Sequence, residues 1–524
     1  LSELDRDFFQ EQGVELAPGP KELMNMQRFY LYLNMTKPGE KLILSYSDTN
    51  AKGEGISPAY LIGSIRSLYP KLEIEGGAGV RPHKNSINNY CYPENPEAGI
   101  DLFLEKLVQE TEKEHEDILE QADETDAMFG ELYSWYLRNP EYRSRVQKLV
   151  QSAFAGKPED IISQSVAKAL YGEVSPYSAT RLERFAACAF AHFLQYGMKL
   201  TERVEYEFKP MDMGNVMHEA LESFAEEVRK RGMKWTELTE QERNEIADRC
   251  LDNIVADYGN TVLKSSARNE YMIERTRRIL RRTVWALQKQ LEQGEFQPEG
   301  FEVTFGGGRI DRVDIMEDQN KVYVKVIDYK TGNTSFDLVY LYHGLQLQLM
   351  IYLDGALRVE QKKYPDKEII PAGVFYYNIK DPMIQEKIDA DVKAVSAGLM
   401  KELKMNGLVQ ADPELVYRMD SSLGSIPVAF NKDGSFRKNS SVADRTQFAV
   451  LGRYVRTKIE KIRSSILEGD AEVSPYELGK KNACTYCPYM TVCGFDRRLS
   501  GYEFRRLKNF SDEELWKAFD REAE

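Results

Sequence analysis

The segment Lys321–Lys330 constrains the fold more than any other. Val322, Val324 and Val326 alternate with Lys321, Tyr323 and Lys325, the period-2 pattern of a β-strand, and the run ends in Val326-Ile327-Asp328-Tyr329-Lys330-Thr331-Gly332. Upstream, Gly308-Arg309-Ile310-Asp311-Arg312-Val313-Asp314 reads as a partner strand, with the polar Met316-Glu317-Asp318-Gln319-Asn320 as the link between them. Pairing the two would bring Asp311, Asp328 and Lys330 to one end of a sheet. Carboxylates are hard oxygen donors for Mg2+, a cation that polarises a phosphate and acidifies an attacking water. An ammonium group beside them stabilises developing negative charge. The trio suits metal-assisted phosphodiester hydrolysis; the plainer alternative is that Asp-x-Lys closes a strand as a solvated pair.

Two further groups keep company with the trio. Gln348 and Tyr352 stand four apart in the apolar run 345–352, and on a helix they share one face. Gly214-Asn215-Val216-Met217-His218 opens a segment whose Val216, Ala220, Leu221, Phe224 and Val228 recur at helical spacing. His218 is then either a third metal ligand from a helix packed on the sheet or a hydrogen-bonded structural histidine. Taken in order, Gly-x-x-x-His, Gly-x-Ile-Asp, Ile-Asp-Tyr-Lys and Gln-x-x-x-Tyr resemble the RecB-type nuclease domain of the PD-(D/E)xK superfamily. The resemblance implies a restriction-endonuclease-like α/β core with many added helices. It implies that His218, Asp311 and Asp328 bind metal, that Lys330 is catalytic, and that Gln348 and Tyr352 line the DNA-facing side of the site.

Six cysteines are present: Cys91, Cys188, Cys250, Cys484, Cys487 and Cys493. The last three form Cys-x2-Cys-x5-Cys in a turn-rich context, and three thiolates leave a tetrahedral site one ligand short. Cys188, nearly 300 residues upstream, is the natural fourth. Such a set holds zinc or a 4Fe-4S cluster, and spacing alone does not choose between them. Cys91 and Cys250 have no partners at ligand spacing and read as ordinary thiols. A Cys ahead of the nuclease helices with three clustered after them is similar to the structural iron-sulfur staple of the AddB family of helicase-nuclease subunits. That similarity implies a 4Fe-4S cluster on Cys188, Cys484, Cys487 and Cys493.

A chain of 524 residues exceeds one core. Met24–Leu33 predicts a helix, and Lys41–Tyr46 a buried strand after the Lys37-Pro38-Gly39 turn. The stretch from Tyr30 to Ser47 resembles the last motif of superfamily 1 helicases as AddB carries it. Lys37 stands where that motif has its phosphate-contacting arginine, and no Gly-x-x-x-x-Gly-Lys-Ser/Thr loop occurs. The expected layout is therefore residues 1–95 as the tail of an inactive helicase-like domain without ATPase activity, 96–171 as a helical connector, 172–500 as the nuclease domain, and 501–524 as a helical tail. Residues 175–178 are expected to turn into the nuclease module, 367–378 to add a core strand, and 441–468 to form a long helix. Leu1 is an unusual first residue, and a longer parent polypeptide is expected.

Net charge is 70 minus 84, or -14, which argues against coating DNA by bulk electrostatics. Local contacts would fall to the basic helical run Arg275, Arg277, Arg278, Arg281 and Arg282, with Arg275, Arg278 and Arg282 as DNA-binding candidates. Arg453, Arg456, Lys458 and Lys461 form a second run; solvated helix faces are the alternative for both. No apolar run approaches the ~18 residues of a membrane span. There is no signal peptide, and unpaired thiols suit a reducing cytoplasm. The AddB resemblance implies a Mg2+-dependent DNA exonuclease module that degrades the strand ending 5' at a double-strand break, together with an AddA-like helicase-nuclease partner, for recombinational repair. The alternatives are a catalytically silent DNA-end-binding scaffold and a free-standing RecB-like iron-sulfur nuclease.

Overall fold

The valine-rich strand is the third of six in a mixed sheet. β1 (Gln297–Phe305), β2 (Gly308–Asp318), β3 (Lys321–Lys330), β4 (Glu368–Asn378), β5 (Asn406–Gln410) and β6 (Val442–Ala443) lie side by side in sequence order. The β1–β2, β2–β3 and β4–β5 pairs are antiparallel; β3–β4 and β5–β6 are parallel. The computed structural model describes residues 3–14, 16–47, 56–72, 96–112, 124–154, 161–172, 178–203, 210–257, 266–306, 308–384, 391–497 and 501–523. They pack as two compact units, Leu1–Ala153 and Phe154–Glu524.

Both faces of the sheet are covered. On one side Tyr323, Ile327 and Tyr329 pack against α2 (Pro210–Lys230), α3 (Glu240–Asp257) and α4 (Ala267–Leu291). On the other, Val322, Val324 and Val326 meet α1 (Ala179–Ala187), α5 (Gln348–Lys363), α6 (Arg445–Glu468) and α7 (Asp512–Ala523). The period-2 alternation thus sorts residues between two cores. Lys325 falls inside the first of these, and its charge is met there: Nζ lies 3.0 Å from Asp314 Oδ2, whose carboxylate also accepts two bonds from the fully buried Arg312 at 2.6 and 2.9 Å. Lone buried charges are prohibitively costly, and here the two cations share one carboxylate beneath the strands.

Several expectations need correction. The link between β2 and β3 is two residues, not five, because Met316 pairs with Tyr323 and Glu317 with Val322 before the chain turns. Gln319 takes the positive φ, +38°, that so short a hairpin demands. The 501–524 tail is helical only over Asp512–Ala523, and it is no loose appendage. Leu515 and Phe519 are buried, Phe519 against Tyr454 of α6, while Arg505–Arg506 pairs with Tyr476–Leu478 in a small second sheet. The 96–171 segment is mostly helical where described, yet its last helix, Gln164–Tyr171, belongs to the larger unit: Ile161 just before it bridges to Asp470, and Ala167 and Tyr171 are buried in the α6 side of that core. β4 and α6 match the strand and long helix read from the sequence. Of the residue 175–178 turn, 175–177 lie outside the described residues, as does Cys91.

The smaller unit has a modest core in which Ile100, Phe103, Leu107, Tyr136 and Val146 are buried. The predicted Met24–Leu33 helix is present within Pro20–Thr36, opened by Pro at its first turn and by Glu22, which accepts from the Gly19 amide at 2.6 Å. Lys41–Tyr46 is neither strand nor buried: the backbone runs without a ladder and Ile43 is 75% exposed. A strand needs a neighbour for its N–H and C=O groups, and among the described residues this unit contains no other strand. No helix among the described residues is long and apolar enough to cross a membrane.

Candidate functional site

Three adjacent strands each deliver one carboxylate to the same level of the sheet. On β1 and β2 the pairs Phe301–Arg312 and Val303–Ile310 bracket Glu302 and Asp311, which therefore stand opposite one another. One step beyond the Arg312–Ile327 pair, Asp311 comes level with Asp328 on β3. Asp311 is held from below by the Tyr329 N–H, which donates to its Oδ2 at 2.7 Å. Glu302 has φ +49°, a left-handed conformation rare for a residue with a side chain, and its nearly buried carboxylate is paired to Arg309.

His218, on the third turn of α2, leans over this row. Its Nδ1 is 3.4 Å from Asp311 Oδ2 and 3.9 Å from Glu302 Oε1, and the nearest ligand atoms of His218, Glu302 and Asp311 all lie within 4.8 Å of one another. Burial, then the nearby Lys330 charge, pushes the imidazole down from its usual pKa. That shift favours the neutral ring, the form in which an imidazole ligates a metal.

Lys330 closes the far side. Nζ lies 2.6 Å from Asp328 Oδ2, donates to Gln348 Oε1 at 2.8 Å, and sits 5.5 Å above the Tyr376 ring. Gln348 Nε2 in turn donates to the Tyr352 hydroxyl at 2.9 Å. Asp328 Oδ2 is buried, and its recorded partner is the Lys330 ammonium. Burial raises the pKa of both aspartates, and Asp328 raises that of Asp311 further. The ligand atoms of His218, Glu302 and Asp311 are close enough together to hold a divalent cation, and Asp328, paired with Lys330, stands beside them on the next strand.

His218, Asp311, Asp328, Lys330, Gln348 and Tyr352, read from separate motifs, are thus neighbours. Glu302 escaped the sequence reading because it belongs to no spaced motif; its one signal is an acid set between Phe301, Val303 and Phe305 on the strand before Gly308. The basic runs are placed differently. Arg278 and Arg282 converge on Asp381 at 2.5 and 3.9 Å, Arg277 pairs with Asp252 at 2.7 Å, and Arg281 pairs with Asp248. Among the described residues no ion pair or hydrogen bond joins Arg275, Arg278 or Arg282 to the acidic row. In the second run Arg456 is 3.0 Å from Asp354, and Lys461 is 3.6 Å from Glu522.

The cysteines form a second centre. Cys188 ends α1 and shares an apolar cluster with Cys487, Leu194 and Tyr489. Arg184 Nη2 approaches Cys487 Sγ at 3.9 Å. The Cys484 thiol is pushed up to about 12 by burial and then by Cys188, Cys487 and Cys493, so four sulfurs from the two ends of the unit lie close enough to repel as thiolates. Such a set is stable ionised only around a cation. Cys250 is a lone buried thiol on α3.

Residues 176–494 match the PD-(D/E)XK nuclease superfamily. Over its whole length the chain is 39% identical to the B subunit of the ATP-dependent helicase/deoxyribonuclease of Lachnoclostridium phytofermentans, 31% identical to that of Clostridium acetobutylicum and 30% identical to that of Thermoanaerobacter sp. strain X514. It spans 46% of the length of each of these curated relatives.

Proposed function

We propose, from the premise that this chain belongs to the PD-(D/E)XK nuclease superfamily, that it is the Mg2+-dependent DNA exonuclease module of an AddB-like protein. In this reading it works beside an AddA-like helicase-nuclease on double-strand breaks, in the cytoplasm, for recombinational repair. The observation that carries the proposal is the meeting of Glu302, Asp311 and Asp328 on three neighbouring strands with His218 above and Lys330 beside them.

His218, Glu302, Asp311 and Asp328 would hold the ion, which supplies Lewis-acid polarisation of the phosphodiester and acidification of water. Asp311 is kept aimed by the Tyr329 amide. Lys330, fixed between Asp328 and Gln348, places a positive charge where negative charge develops on the phosphate oxygens. Gln348 and Tyr352, bonded to each other on one face of α5, line the side by which a strand reaches Lys330. Phosphate contacts from Arg275, Arg278 and Arg282 would require release of Asp381 or a solvent-facing reach, so the arginine run is a weaker DNA surface than Gln348 and Tyr352.

The cysteine set is read as a 4Fe-4S centre on Cys188, Cys484, Cys487 and Cys493; what supports it is the likeness of the motif to the helicase-nuclease staple, together with Cys188 and Cys487 sharing one apolar cluster. Such a centre supplies cross-links between the start and the end of the domain. Residues 1–95, with Lys37 at the motif position and no phosphate loop, carry no ATPase activity of their own in this proposal. The retention of Asp311, Asp328 and Lys330 together speaks against a silent scaffold. Similarity along the whole chain to helicase/deoxyribonuclease relatives about twice its length speaks against a free-standing nuclease.

The test is nucleotide release from linear single-stranded and duplex DNA by the anaerobically purified chain, with Mg2+ or EDTA, beside Asp328→Ala. Cleavage that needs Mg2+ and disappears in the variant is expected. Undiminished Mg2+-dependent cleavage by Asp328→Ala would overturn the assignment.

A further inference from the structure

Lys330 is held by Gln348, and Gln348 is the first residue of α5. The opening N–H groups of a helix have no partners within it and must find acceptors elsewhere. The residue at the cap position, Leu347, has no side chain able to accept. The acceptor instead comes from α1, 164 residues away: Glu183 Oε1 takes the Leu347 N–H at 2.7 Å and the Gln348 N–H at 2.9 Å. Glu183 as a residue is only partly buried, but its carboxyl is enclosed, and the Lys330 and Asp328 charges act on it. A carboxylate at a helix N-terminus also opposes the positive end of the helix dipole. The helix that carries Glu183 is anchored immediately afterwards, Arg184 contacting Cys487 and Cys188 ending the helix.

We propose that Glu183 is a positioning residue for the nuclease site: by capping α5 it fixes Gln348, and through Gln348 it fixes the amine of Lys330. This rests on the nuclease reading of that site. Glu183 touches neither Asp311 nor Asp328 through any described hydrogen bond or ion pair, and its effect passes through the backbone of Gln348. A displacement of about 1 Å in a reacting group costs on the order of 100-fold in rate, which sets the scale of what losing the cap can do.

The experiment is single-turnover cleavage of linear DNA by the full chain in Mg2+, with Glu183→Ala, Glu183→Gln, Gln348→Ala and the Glu183→Ala/Gln348→Ala pair. Glu183→Ala is expected to slow cleavage at saturating DNA by roughly 10- to 100-fold, with the DNA concentration for half-saturation unchanged. Glu183→Gln keeps an oxygen for both N–H groups and should retain the parent rate within about 3-fold. In the Gln348→Ala background, Glu183→Ala should have little further effect on rate, because both changes break one path. A merely structural glutamate would lower rate additively in the pair and would not be rescued by Gln; either result overturns the proposal, as does a parent-like rate in Glu183→Ala. Should Glu183→Ala not fold, Glu183→Asp carries the test: the carboxylate is kept but drawn back by one methylene, and it too should slow the saturated rate. Asp328→Ala, run alongside, separates the two readings. If it cleaves like the parent, the nuclease site and the role of Glu183 in it fall together; if it is dead while Glu183→Ala is fully active, only the role of Glu183 falls.

Discussion

Glu183→Gln should alter the pH dependence of stability, and in a direction that hydrogen bonding alone would not suggest. Burial pushes the Glu183 carboxyl up to about 7, and Asp328 adds to the rise, while the Gln348 and Leu347 N–H groups and the Lys330 charge pull the other way. An unperturbed glutamate lies at 4.5, so across that interval the native protein keeps a proton that the unfolded chain has released. Stability from this group is therefore full below about pH 4.5 and is lost as the pH rises through about 7. At about 1.4 kcal/mol for each pH unit, the interval is worth about 3 kcal/mol by pH ~8. Gln accepts the same two bonds and cannot ionise, so it escapes that loss. The melting midpoint of the variant, measured against the parent by scanning calorimetry of the full chain, should climb by roughly 3–6 °C between about pH 5 and about pH 8. Titrating groups common to both proteins cancel in the difference. A difference that is flat, or that falls with pH, would refute the burial argument.

Two further outcomes follow from the buried groups. Asp314→Ala leaves Arg312 and Lys325 enclosed without their shared carboxylate and should cost about 3–5 kcal/mol, read as a lowered urea midpoint or as insoluble protein; a parent-like midpoint would contradict it. Cys493→Ser should remove visible absorbance near ~400 nm and iron from the purified protein, and lower its melting midpoint; a colourless parent that releases zinc on denaturation would rule out the iron-sulfur centre.

The sequence was most informative where chemistry and local geometry share a period. Asp328 and Lys330 lie on one face of β3 because strands repeat every two residues, and Gln348 and Tyr352 share one face of α5 because helices repeat every 3.6. Those four positions, with Asp311 and His218, could be named without coordinates. The same local logic misled at Lys41–Tyr46, whose apolar pattern has strand character but no described strand beside it. It offered Arg278 and Arg282 as DNA contacts or a solvated face, and could not foresee that both stand beside Asp381.

By itself, the order of residues determined the α/β class, the strand that ends in Asp-Tyr-Lys, and the identity of most of the groups that meet there. Only the tertiary structure decided that Glu302 joins them from β1, that the charge of Lys325 is spent inside the core on Asp314, and that Glu183 caps the helix that steadies Lys330. Each of these depends on a contact between segments distant in the chain, where no periodicity links the partners and only packing brings donor to acceptor.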